Sequence, residues 1–390
     1  MKKKTTVLIP AMLDFHFPLL KYAFCSANYE AVVLEDQRSI AYTGLKYLHN
    51  DLCYPVILIT GQFISALKSG KYSGDVALMI PQAGDACRGS NYIHMIRKAL
   101  TLAGFGHIPI MSLNFKGLEK DNRLKISLGM IRRGFASVMY GDILMILRNQ
   151  IKAYEKNCGE TEKTVAKWTE ILKQGIIDGT LVSARKMKET FSLIAKDFST
   201  IETVKKQKPI IGIVGELYIK YCHLGNADIC KYLRSEGCGV YINGFSWYLL
   251  YYIDSHLAEN SSAESSVFKA ITRYLAKVQS AMVCAVKENG FLCCNSFYDF
   301  KEYSADYISL NCNIADGWLI AGEIANIHRS VTDRIACVQP FGCMPNHVFG
   351  KGLYSSLQRK IGDVMLSSVD FDSGSADVNI KNRLSMLINM

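Results

Sequence analysis

The chain has 390 residues, too many for one small core and enough for two or three packed units of about 100–200 residues each. Hydrophobic residues make up 49% and charged residues 21%, with 8 prolines and 29 glycines, which argues against a disordered or a fibrous chain. The 45 Lys and Arg outnumber the 35 Asp and Glu, and the net charge of +10 favours anionic partners without choosing among nucleic acid, an acidic protein and a phosphorylated cofactor.

At the start of the chain the basic Met1–Lys4 is followed only by Thr5–Pro10, too short for a secretory signal and its cleavage site. Four short apolar runs then read as strands: Thr6–Ile9, Ala31–Leu34, Val76–Ile80 and Ile108–Leu113. Helical patterns separate them at Phe17–Ala27, Val56–Lys68 and Ser90–Ala103. Buried strands alternating with amphipathic helices imply a parallel sheet covered on both faces. From Asp121 to Thr203 the pattern changes. Apolar residues recur at three- and four-residue spacing through Leu124–Tyr154 and Val165–Ile201, proline is absent, and the polar Glu155–Lys163 reads as the internal loop.

A second α/β unit opens at Lys208-Pro209. Its strands are Ile210–Val214, Val240–Ile242, Ile335–Val338 and Met365–Val369, and its helices are Asn226–Ser235, Ser266–Lys287 and Gly317–Ile327. The expected architecture is α/β: two parallel-sheet Rossmann- or flavodoxin-like lobes, residues 1–118 and 207–390, joined by a mainly helical middle, residues 119–206. The longest apolar stretches, such as Val56–Leu67, are interrupted by Thr60, Gly61 and Gln62, and none reaches the roughly 18 residues of a bilayer span. The expectation is a cytoplasmic protein with no membrane association.

In a reducing compartment an odd set of 13 cysteines is not a disulfide framework, which leaves core residues, metal ligands and catalytic thiols as the options. Three cysteines share a setting. Cys53 lies in Asn50-Asp-Leu-Cys-Tyr-Pro55, with Pro55 suited to the first turn of a helix. Cys87 follows the Val76–Ile80 strand by a glycine-containing loop, and Cys343 follows Ile335–Val338 and precedes Pro345. All three fall in turns that enter helices, where ligands of open parallel sheets bind and where free N–H groups favour thiolate. Three converging thiolates suit a [4Fe–4S] cube with one iron left for water or substrate, or a zinc ion with a fourth ligand. The plain alternative is three small buried hydrophobes, since no CxxC spacing is present.

The words around these cysteines carry a resemblance. Asn50–Pro55 with Gly61-Gln62, Gln82-Ala-Gly-Asp-Ala-Cys-Arg-Gly-Ser-Asn-Tyr92, Gln339-Pro-Phe-Gly-Cys-Met-Pro-Asn346, Val214-Gly-Glu-Leu-Tyr218 and Asp370-Phe-Asp-Ser-Gly-Ser375 occur in order along nearly the whole chain. Together they resemble the 2-hydroxyacyl-CoA dehydratase superfamily, and within it the module found at the end of large proteins that also carry the ATP-dependent activator. The resemblance implies a [4Fe–4S] cluster on Cys53, Cys87 and Cys343, low-potential electrons from an ATP-hydrolysing activator, and dehydratase or reductase chemistry on an acyl-CoA or other small molecule. The non-catalytic alternative is an electron-transfer or cluster-carrying partner of the activator. Some relatives carry a double-cubane cluster; Cys25, Cys222 or Cys312 would have to supply its further ligands. The dehydratases pair two similar subunits, so a homo- or heterodimer is among the expected assemblies.

Other candidates are weighed on their positions. Glu216 follows a strand directly and faces the crevice, as a proton donor or acceptor or as a plain N-cap. Arg88 beside Cys87 could neutralise a cluster or bind an anion, His347 lies four residues past Cys343, and Ser373-Gly374 is a weak phosphate-cradle candidate. Adjacent Cys293-Cys294 diverge and read as structural, Cys158 as exposed, and Cys230, Cys238, Cys284 and Cys337 as core. A nucleic-acid partner is not expected, because no recognised motif supports one and neither GxGxxG nor GxxxxGK[ST] occurs.

Overall fold

The computed structural model describes residues 4–26, 28–35, 39–81, 86–113, 127–204, 209–257, 263–375 and 377–389. In the first lobe, strands β1 (Thr5–Ile9), β2 (Tyr29–Val33), β3 (Val76–Pro81) and β4 (Ile110–Leu113) form one sheet in the order β2-β1-β3-β4, every pair parallel. Its helices are α1 (Phe17–Phe24), α2 (Ile40–Leu45), α3 (Tyr54–Lys68) and α4 (Tyr92–Leu102). β3 buries five residues in succession, as a strand covered on both faces must. Gly44 and Gly61 let α2 and α3 touch backbone to backbone: a Cβ on Gly61 would stand 1.9 Å from the Ile40 carbonyl oxygen, and one on Gly44 2.1 Å from that of Ile57. Gly61 is therefore a packing residue.

Three helices follow: α5 (Leu128–Ile151), α6 (Glu160–Ile177) and α7 (Ala184–Ser199). The pattern read as continuous over Val165–Ile201 is broken between α6 and α7, where Gly179 takes a φ of 72° that favours glycine. The helical start expected from Leu124 lies outside the described residues. These helices are not a spacer. α1 packs on α5 and α6, α5 packs on the second sheet, and α7 packs on a long helix of the second lobe.

That lobe comprises β5 (Ile210–Gly215), α8 (Leu217–Tyr221), α9 (Ile229–Ser235), β6 (Gly239–Ile242), α10 (Phe245–Tyr252), α11 (Ala263–Glu288), α12 (Phe297–Ala305), α13 (Gly317–Ser330), β7 (Arg334–Pro340), α14 (Met344–Phe349), α15 (Tyr354–Ile361), β8 (Met365–Phe371) and α16 (Asp377–Asn389). Its sheet is also all parallel, in the order β6-β5-β7-β8. Counted within each lobe, the two strand orders are the same. Both reverse between the first and third strands, β1 and β3 in one sheet and β5 and β7 in the other. Parallel α/β sheets bind ligands outside the strand ends at that reversal.

Two cores organise the molecule. Val240, Ile242, Ala336 and Val338 point to one face of the second sheet and join the core of the first lobe, with Val7, Leu8 and Leu78. The intervening Tyr241, Ile335 and Cys337 point to the other face and join α5, α7, α11 and α13. The two-residue period of the strands thus divides one sheet between two cores. Among the described residues no helix is long and apolar enough to cross a membrane.

Candidate functional site

Four residues singled out in the sequence each occupy the N-cap position of a helical turn, and the side chains of Cys87 and Glu216 accept a capping hydrogen bond. Cys53 caps α3, Cys87 caps the 3-10 turn Arg88–Asn91, Glu216 caps α8 and Cys343 caps α14. Each position follows from local sequence. Pro55 and Pro345 sit in the first turns of α3 and α14, where a missing N–H costs nothing. Gly215 has a φ of 145°, and a Cβ there would lie 1.8 Å from the Val338 carbonyl oxygen. Only glycine lets the chain pass over β7 and deliver Glu216, whose own N–H then bonds Val338 O at 3.0 Å.

These turns converge on one cavity of about 280 Å³ at the carboxyl ends of both sheets. Cys87, Cys343, Glu216 and Asp316 line it, together with Tyr92 and Pro55, which flank Cys53. The rest of its wall is largely apolar, from Phe17, Phe24, Phe245, Tyr248 and Tyr252. The Tyr92 hydroxyl donates to Cys53 Sγ at 3.0 Å, Gly89 N–H donates to Cys87 Sγ at 3.3 Å, and Asn346 Nδ2 donates to Cys343 Sγ at 3.5 Å. Each sulfur therefore already faces a donor suited to a thiolate. The Arg88 guanidinium bonds Asp51 O at 3.2 Å and so ties the Cys87 turn to the Cys53 loop.

Without a metal the buried sulfurs stay protonated. Burial, then the Glu216 carboxylate, pushes the Cys53 thiol up to about 12, and the same two causes push Cys343 higher still. Burial, then the charge of Asp316, raises Glu216 to about 7, although backbone N–H groups at Ile219 and Tyr218 oppose the shift. The Glu216 carboxylate accepts from Ile219 N–H at 2.9 Å.

The sulfurs of Cys53, Cys87 and Cys343 do not all lie within 4.8 Å of one another. A tetrahedral zinc with sulfur at about 2.3 Å holds thiolates about 3.8 Å apart. Among the described residues the only three His, Cys, Asp or Glu with donor atoms all within 4.8 Å are Asp14, Cys222 and His223. In a [4Fe–4S] cube the thiolates sit on different irons and stand further apart. Of the thirteen cysteines only Cys87 and Cys343 line the cavity; Cys53 touches its wall through Tyr92, and Cys25, Cys222 and Cys312 do not line it.

Asp316 is the residue that the sequence reading missed. It caps α13, the helix that leads into β7, as Cys53 caps α3, the helix that leads into β3. It accepts from Asn346 Nδ2 at 3.1 Å, so one amide touches both Asp316 and Cys343. An Ala-Asp-Gly triplet carries no chemical signature; only the equivalence of the two lobes points to it. The Cys87 and Cys343 loops correspond on the same basis, since each follows the third strand of its sheet. Gln82–Asp85, which precede Cys87 in its loop, lie outside the described residues.

Other candidates fall elsewhere. His347 turns away from the cavity: Nδ1 lies 2.8 Å from Cys343 O, and Nε2 lies 3.6 Å from Asp370. Gly374 N–H donates to Asp372 at 2.7 Å and closes the loop on itself, so it offers no phosphate cradle. Cys293 and Cys294 are buried against Tyr241, whose hydroxyl accepts from Cys294 N–H at 3.0 Å. Cys158 is exposed, and Cys238 and Cys337 are buried. Cys230 is half-buried and packs against the first core, whereas Cys284 is exposed on α11, which corrects its reading as core: a helix offers only one stripe to the core, and Cys284 lies off it. No disulfide joins any of the thirteen cysteines, all of which are among the described residues. No protein-family model and no curated protein matches this sequence.

Proposed function

We propose that the chain is a [4Fe–4S] protein of the 2-hydroxyacyl-CoA dehydratase kind, with two Rossmann-like lobes, and that it reduces or dehydrates a small molecule with electrons from an ATP-dependent activator. The observation that supports this reading is that Cys87 and Cys343, at helix N-cap positions in the two lobes, line one cavity with a carboxyl, while Cys53, also at an N-cap position, is hydrogen-bonded to the lining Tyr92. Three thiols are the donor set that leaves one iron of a cube open, and each sulfur has its own hydrogen-bond donor. The bound cluster would supply one-electron transfer and a Lewis-acidic iron.

The chain's own residues do the rest. Cys53, Cys87 and Cys343 give up their protons on loading, against the burial that holds Cys53 and Cys343 protonated. Glu216, at the cavity wall and titrating at about 7, holds or takes a substrate proton. Phe17, Phe245, Tyr248 and Tyr252 bind the apolar part of the substrate and exclude water from the site. That apolar wall favours an enzyme over a bare electron carrier, which needs no substrate cavity. Three cysteines would hold one cube, and a double one would need further cysteines, whereas Cys87 and Cys343 are the only ones that line the cavity.

Anaerobic reconstitution with iron and sulfide tests the reading. The expected product is a brown protein with about four irons per chain, reducible only when activator, ATP and a low-potential donor are all present. A colourless protein that takes up zinc and no sulfide would end it.

A further inference from the structure

A second set of ligating side chains sits where the lobes meet, outside the cavity described above. Asp14 lies between β1 and α1, and Cys222 and His223 follow α8. One donor atom of each, a carboxylate oxygen, a thiol sulfur and an imidazole nitrogen, lies within 4.8 Å of the other two. The backbone already holds the three in place. His223 N–H donates to Asp14 Oδ2 at 2.9 Å, His223 Nδ1 is 3.0 Å from the same oxygen, and Asp14 N–H donates to Tyr221 O at 3.3 Å. Cys222 is fully buried, with its thiol directed at Ala11 O at 3.4 Å. Asp14 and His223 are partly open and line a second cavity of about 460 Å³, which gives an ion an entry path and room for a water as fourth ligand.

A separate observation concerns Tyr218. Its side chain is 1% exposed, its hydroxyl has no well-formed hydrogen bond, and it lies beside the Cys222 sulfur. A neutral thiol is a poor acceptor, and a buried hydroxyl without an acceptor is destabilising. A metal-bound thiolate would accept that proton well. A plain histidine–aspartate ion pair needs neither Cys222 nor Tyr218.

We propose that Asp14, Cys222 and His223 form a mononuclear zinc site that staples the two lobes together, with Tyr218 donating to the Cys222 thiolate. One sulfur, one nitrogen and one oxygen with a water complete the tetrahedron zinc prefers, and the sulfur selects zinc over magnesium or calcium. Binding releases the Cys222 proton to solvent and displaces the proton that His223 Nδ1 shares with Asp14 Oδ2, to Nε2 or to solvent. The site shares no ligand with Cys53, Cys87 and Cys343, so it stands or falls separately from the cluster.

The test titrates the full-length, metal-free chain with cobalt(II) and then zinc under anaerobic, reducing conditions. One equivalent of cobalt is expected to give a sulfur-to-cobalt charge-transfer band that zinc bleaches, that survives the combined Cys53→Ala, Cys87→Ala and Cys343→Ala substitutions, and that is lost in Cys222→Ser. Zinc is also expected to raise the melting temperature of the wild type and not of Cys222→Ser. If Cys222→Ser fails to fold, His223→Ala and Asp14→Asn carry the test on the open side of the site. Each is expected to weaken zinc by at least about tenfold, and Tyr218→Phe by about tenfold. A band that persists in Cys222→Ser, or that vanishes in the triple alanine variant, overturns the proposal. So does zinc affinity unmoved by both His223→Ala and Asp14→Asn.

Discussion

At the scale of single residues, the thirteen cysteines divide by what their sulfurs face. Cys343 meets Asn346 and the cavity, while Cys294 is buried beside Tyr241. Cys343→Ala removes one of three proposed ligands and little apolar area, so the fold is expected to persist while anaerobically reconstituted iron falls from about four per chain to near none. Cys294→Ala is expected to keep its iron. Iron and sulfide analysis with circular dichroism as the fold control checks both, and full occupancy in Cys343→Ala would sink the ligand assignment. Glu216 yields a pH dependence in the metal-free protein. Its folded value of about 7 exceeds the ordinary 4.5, so the folded state favours the protonated form. Its stabilising contribution is complete below about pH 4.5 and is lost as pH rises through 7, by about 3 kcal/mol at most. Glu216→Gln, which stays neutral, is expected to flatten that decline in urea midpoints measured from pH 4.5 to 8. An unchanged slope would show that Glu216 does not carry it.

At the scale of elements, α8 and α13 are joined by a buried ion pair. Lys220 Nζ reaches both carboxylate oxygens of Glu323 at 2.9 Å, with the side chains 3% and 2% exposed. Glu323→Ala strands a charge in the core and is expected to cost about 3–5 kcal/mol, whereas Lys220→Met combined with Glu323→Leu is expected to cost far less. Chemical denaturation of the three proteins compares them; equal losses would mean that packing at these positions, not the stranded charge, sets the cost. The pair holds α13 near the helix that Glu216 caps, and α13 in turn carries Asp316. Two carboxyls at the cavity are thus placed by one internal contact between helices.

At the scale of the whole molecule, three exposed apolar residues stand close to Cys343 in sequence. Phe341, Met344 and Val348 flank Cys343 and are 67%, 40% and 51% exposed. On the proposed reading an electron donor must approach the cluster closely, and these residues are exposed apolar ground next to one of its proposed ligands. Phe341→Ser is expected to slow reduction by the activator about tenfold, equivalent to about 1.4 kcal/mol of docking, with iron content unchanged. The net charge of +10 adds an electrostatic component, so the reduction rate is expected to fall with added salt. Stopped-flow reduction at two ionic strengths measures both. If Phe341→Ser reduces at the wild-type rate, docking lies elsewhere; if salt has no effect, the charge plays no part in it.

Much of the molecule could be read from residue order, because the determining forces are local there. Continuous apolar runs such as Val76–Ile80 and Ile210–Val214 define strands covered on both faces, and Pro55 and Pro345 define where helices enter after Cys53 and Cys343. Short helices such as α10 and α15 escaped because a turn or two carries no period, and Cys284 was misread because one position on a long helix does not reveal which stripe it occupies. Only the tertiary structure decided which capping residues meet. The equal strand orders carry Asp316 to the place corresponding to Cys53, and the seam between the lobes brings Asp14 to Cys222 and His223 across more than 200 residues of chain. Such distances along the chain are closed by packing of the two cores, an interaction that depends on total buried surface and leaves no mark on any short stretch of sequence.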